Sequence, residues 1–222
     1  MISRYALFNT ADVSNYFHIA GGMPKGVKPS YNLSPASNAP VIVNEGGTHT
    51  IKLMKWGLMA QGAKDTNSIF RYKTYNIPSE KIMSRHSWER AVRERRCLVP
   101  ADGFYELNGS GKKRAFYIQP NDKALLSFAG VYSSWEDPDG TAHGTFSIVT
   151  IEATDDMPGV SGRMPVIIKR EDEARWLDPS VSDLSSLYDM LRPYPQGLLT
   201  AYEVGAAVHS PKPNTPNLID RL

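Results

Sequence analysis

From Cys97 to Pro165 the chain holds the apolar runs "AFYIQ", "ALLSFAGVYSSW" and "GTFSIVTIEA", with turn-forming stretches at "GSGKK" and "DPDG". Runs rich in β-branched and aromatic residues, punctuated by Gly, Asp and Pro, read as strands and tight turns. A tight turn reverses the chain, whereas a parallel pair needs a crossover of about a dozen residues or more. This half therefore excludes a strand–helix alternation. Shorter strands are expected at "VIV", "HTIKLMKW" and "LLTAYEV", and helices at "NTADVSNYFHIAGG", "SWERAVRERRC" (N-cap Ser87), "REDEARWLD" and "SDLSSLYDML". Residues 23–40 carry four prolines and read as an irregular connection, and Gly57–Glu80 has no clear period. The mixed order predicts an α+β fold with an antiparallel or barrel-like sheet. No linker-like stretch divides the chain, so residues 1–222 are expected to form one domain.

Composition excludes several classes. A net charge of +2 and a pI of about 8.5 are too mild to mark a nucleic-acid binder by themselves. Cys97 is the only cysteine, so a disulfide scaffold is excluded, and five scattered histidines build no sequence-local zinc site. Neither a metal nor a cofactor is expected. Residues 1–30 lack a basic region followed by a long apolar core, and no run approaches the length of a membrane span. A cytoplasmic location follows by default.

Several residues invite a chemical reading. In "RRCLVPADGFYEL", Glu106 emerges beside two aromatics, where desolvation would raise it toward acid–base use; the alternative is a strand-end Glu in solvent. Cys97 reads as core packing rather than as a nucleophile. Trp56 closes a strand and is either a base-stacking ring or a core aromatic. Asn76 ends the aperiodic segment and is placed to hydrogen-bond a substrate oxygen, and Arg163 precedes a short apolar strand and either contacts phosphate or solvates the strand end. At the other end, "MISRYALFNT" puts strand-like residues at the start of the chain. Either that strand simply docks in a sheet, or the N-terminus belongs to a working site.

The stretches "SRYALF", "YNLSPASNAPVIV", "KLMKWGLM", "ERRCLVPADGFYE", "FAGVYSSW", "RMPVII" and "VHSPKPNTPNLI" together resemble the SOS-response-associated peptidase family, in collinear order over the whole chain. The resemblance implies a single α+β domain around a curved, barrel-like antiparallel sheet with peripheral helices. It also implies recognition of abasic sites in single-stranded DNA and self-processing of the N-terminus. In the family an N-terminal cysteine reacts: its α-amine condenses with the sugar aldehyde to a Schiff base, and its thiol closes a thiazolidine ring. An Asn, a Glu and a His line that site. By resemblance Asn76 and Glu106 match the Asn and Glu, and Arg4 and Arg163 match two family arginines.

Two of the reactive positions depart, and two of their neighbours with them. Ile2 stands where the cysteine belongs, and Ser161 stands where the His belongs; Ser3 and Leu107 replace a Gly and a Trp. Without a thiol at residue 2 no thiazolidine forms, and Cys97 cannot replace it, since ring closure needs amine and sulfur on one residue. Met1 is expected to be retained before bulky Ile2, which moves the α-amine about 3.3 Å along an extended chain and leaves any Schiff-base or lyase activity residual. Phosphate pairing is expected from Arg4, Lys55, Arg71, Lys73, Arg85 and Arg163, and base stacking from Trp56. Two readings remain open: a DNA-damage protein that binds single-stranded DNA at abasic sites, and a non-catalytic module that holds DNA or another ligand. Proteolysis of other proteins is disfavoured, because "SGRMP" offers no base to activate Ser161.

Overall fold

The structure, a computed structural model, describes residues 2–60, 62–82, 84, 86–108, 114–154 and 162–222. Its strands are β1 (Tyr5–Leu7), β2 (Ser30–Leu33), β3 (Asn38–Glu45), β4 (Thr48–Trp56), β5 (Asn76–Pro78) and β6 (Arg96–Ala101). They continue with β7 (Gly103–Asn108), β8 (Arg114–Pro120), β9 (Leu126–Glu136), β10 (Ala142–Glu152), β11 (Arg163–Pro165) and β12 (Leu199–Val204). The α-helices are short: α1 (Val13–Tyr16), α2 (Asn67–Tyr72), α3 (His86–Glu94), α4 (Glu173–Leu177) and α5 (Leu184–Asp189).

The "DPDG" turn joins β9 to β10, with Asp137 Oδ1 accepting the N–H groups of Asp139 and Thr141. From this hairpin the sheet runs β10–β4–β3–β6–β9 and returns to β10, a closed five-strand ring. The ring is antiparallel at every pairing but one, where β4 and β10 run parallel with Phe146 opposite Trp56. Closure removes the free edges of these strands. Beside the ring lies a second sheet in the order β12-β8-β7-β1-β2. Its apolar residues Tyr5, Phe104, Phe116 and Ile118 join Ile42, Leu98, Phe128 and Phe146 of the ring in a common core. The α+β class and barrel-like sheet are as expected.

Local differences have local causes. The expected helix over residues 9–22 shrinks to the four residues of α1, which has no side-chain N-cap bond and is followed, after its C-cap Phe17, by left-handed His18 (φ 53°). So short a helix does not offset its nucleation by itself. The Pro-rich connection contains β2 and the first residues of β3, and the aperiodic segment contains α2 and β5. Ser87 lies inside α3 rather than capping it. The "GSGKK" turn falls outside the described residues. After β12 the tail crosses the second sheet: Asn214 Oδ1 accepts the Tyr31 N–H of β2 (2.6 Å), and Arg221 bridges Val204 of β12.

Candidate functional site

The first strand occupies an interior position. β1 lies between β7 and β2, with Tyr5 opposite Phe104 on one side and Leu33 on the other. Arg4 O accepts the Tyr105 N–H (3.1 Å) and Ala6 O accepts the Asp102 N–H (2.8 Å). The Asp102 carboxylate then takes the N–H groups of Phe8 (2.6 Å) and Asn9 (3.0 Å), which fixes the far end of the strand. Residue 2 is thereby drawn into the core, and Ile2 is 1% exposed.

Asn76 arrives from the ring. β5 pairs with β10, Asn76 standing opposite Ile148, and the Asn76 Nδ2 amide donates to Ile2 O at 2.6 Å. The Oδ1 atom of Asn76 is buried with no hydrogen-bond partner among the described residues, leaving an acceptor free beside the N-terminal segment. Glu106 sits on β7 opposite Phe116 and is 6% exposed, so the solvent-facing alternative is overturned. Phe104 and Tyr105, facing opposite sides of β7, are both buried too; a strand covered on both faces takes Glu106 inside with them.

Trp56 is corrected. It is 0% exposed, its indole N–H donates to Tyr75 O (2.8 Å), and its ring meets Tyr5 edge-on at 5.1 Å. It is a core ring beneath β1, and no base can stack on it. Arg163 is also committed within the protein. Its two Nη groups fork onto Glu80 (2.8 Å each), and Nε and Nη2 reach Thr150 Oγ1 and O. Little of its donor capacity is left for phosphate, so its part here is to tie the segment after β5 to β10. Arg4 is half-buried and donates to Ser3 O and His209 O, and burial lowers its pKa while the neighbouring Tyr75 partly opposes that. Cys97 is buried, and desolvation pushes its thiol up, which keeps it protonated and inert. Arg71 and Lys73 are exposed, and Lys55 leans toward Ala36 O. Met1, Arg85 and Ser161 lie outside the described residues.

Sequence reasoning missed the exposed aromatics Phe70 and Tyr72 of α2, the latter 68% exposed. The signal was present in "IFRYKTY", where aromatic and basic residues alternate before Asn76. Among the described residues no group of three or more His, Cys, Asp or Glu could hold a metal ion.

A closed five-strand ring beside a second sheet, with β1 inside that sheet and Ile2 just ahead of it held by the buried Asn76, defines an α+β barrel class of protein. The family model described as SOS response associated peptidase (SRAP) matches residues 1–211, and the chain belongs to that family. It is similar to the abasic site processing protein YoqW of Bacillus subtilis, at 34% identity over 99% of each chain. It is also similar to the abasic site processing protein HMCES of Rattus norvegicus, at 28% identity over 86% of this chain and 64% of the relative. A solved structure of a protein from Bacteroides thetaiotaomicron shares the fold, with a TM-score of 0.84, 24% identity and 99% of each chain covered.

Proposed function

We propose that residues 1–222 act as one domain, in the cytoplasm, that binds single-stranded DNA at abasic sites without forming a thiazolidine with it. Membership of the family and relatives named as abasic site processing proteins support the ligand. One observation carries the loss of crosslinking: the buried residue held by Asn76 is Ile2, whose side chain has no sulfur. With Met1 retained, the α-amine stands one residue away from the family position, about 3.3 Å along the chain. Displacements of about 1 Å already lower rates near a hundredfold. Glu106 and Asn76 then serve to seat the opened sugar, Asn76 through its free Oδ1.

The test is incubation of the full chain with abasic single-stranded DNA, with and without borohydride, followed by a denaturing gel. The expected result is salt-sensitive binding and no adduct that survives without borohydride. An adduct stable without borohydride would overturn the account of Ile2. A borohydride-dependent adduct would instead reveal an amine within reach of the aldehyde. Ile2→Cys combined with Ser161→His is expected to restore a stable crosslink.

A further inference from the structure

The strongest unassigned feature is a pocket of about 400 Å³ beside α2, in the stretch between Ala60 and Tyr72. Its orientation is set from below. Gly57 has φ +132°, and a Cβ there would lie 2.3 Å from Ile69 Cγ2, so only glycine lets the buried Ile69 seat α2 against the ring. With Ile69 inward, the helical repeat turns Ser68, Arg71 and Tyr72 to one outer side, where they line the pocket with Lys64 and Asn67. Phe70 falls on the other flank, exposed but outside the pocket.

The pocket chemistry is uncommitted. The Tyr72 ring makes no ring contact among the described residues, and Lys64, Arg71 and Lys73 have no ion pair among them. The one acid at the rim, Asp65, is engaged at the helix start, accepting the Asn67 N–H at 2.9 Å. An unpartnered ring flanked by free cations fits a nucleotide, since a base offers a π-face and its neighbours offer phosphates. Tyr72 and Asn76 are four residues apart, so their backbones lie within about 14 Å. That is well inside the roughly 4–16-nucleotide footprint of a single-strand binding fold.

We infer that this pocket is a subsite for one intact nucleotide of the strand whose abasic position lies at Ile2 and Asn76. Tyr72 stacks on the base, and Arg71 and Lys64 pair with flanking phosphates. The inference rests on the reading that the chain binds single-stranded DNA. The probe is a fluorescein-labelled single-stranded oligothymidine with one tetrahydrofuran abasic analogue, followed by anisotropy; a second strand carries 2-aminopurine near the analogue. Tyr72→Ala is expected to weaken binding about tenfold and to abolish 2-aminopurine quenching. Arg71→Ala should reduce the slope of log affinity against log salt by about 0.7. Phe70→Ala, on the same helix but outside the pocket, should bind within about twofold of wild type. Wild-type binding that Tyr72→Ala leaves intact and quenched overturns the subsite and leaves the proposed function standing. Failure of the wild type to bind at low salt overturns both.

Discussion

Two regions meet at Tyr75, and they use their polar groups in opposite ways. On the buried side, Asn76, Asp102, Trp56 and Arg163 hold backbone or side chains of the protein itself. On the exposed side, Arg71, Tyr72 and Lys73 face solvent without partners among the described residues. Affinity for a strand draws on the second kind of group, because a donor already bound within the fold must first be released. Reactivity at an N-terminus draws on the first kind, where geometry is fixed by packing. Under the proposed function the two roles are thus physically separable, and Ile2 at the family's cysteine position bears on only one of them.

The comparison can be broken most forcefully at Trp56. Trp56→Ala is expected to destabilise the fold by about 3–5 kcal/mol in urea unfolding, as for other buried large aromatics. Trp56→Phe should remain folded and bind the single strand unchanged; lost affinity in a folded protein would move Trp56 to the exposed side. Asn76→Ala comes next, at about 1–3 kcal/mol, because it leaves the buried Ile2 carbonyl without its donor. Lys73→Gly should show opposite signs in two assays. Left-handed Lys73 (φ 51°) caps α2, a conformation that costs an L side chain about 1–2 kcal/mol and that glycine's extra unfolded freedom only partly offsets, so glycine there should add stability while DNA affinity falls with the lost cation. Glu80→Gln has the smallest effect, below about 1 kcal/mol, since the pair with Arg163 is partly solvated. Burial pushes the Glu80 carboxyl up, but the Arg163 fork, its own backbone amide and Ser79 outweigh that and hold it below the usual range. The stability it contributes is therefore complete above the unfolded value of about 4.3 and is lost as pH falls through the folded one. A pH series of melting temperatures should be flatter below that point in Glu80→Gln.

Much of this was legible in the sequence where structure is local. The hairpin of β9 and β10 follows from "DPDG" and its flanking runs, and the docked first strand follows from the apolar start of the chain. The parallel pairing of β4 with β10 was not legible, because it joins Trp56 to Phe146 through ring closure rather than through a turn. Nor were β2, β5 and α2, each too short to show a period of its own. At the site, Asn76 and Glu106 could be named from the family wording, but their burial could not. In β7 the residues Phe104, Tyr105 and Glu106 are all buried, so alternation gives no sign of which face is dry. Trp56 misleads for the same reason, since a large ring beside a polar stretch reads alike in a core and on a surface.

The tail that leaves β12 fastens both outermost strands of the second sheet, taking the Tyr31 N–H of β2 with Asn214 and pairing Arg221 and Leu222 with β12 at Val204 and Glu203. Unpaired strands at such margins are templates for another chain. A single proline-rich segment thus guards two margins at once, and cutting it would turn this sheet into a surface on which copies can stack edge to edge.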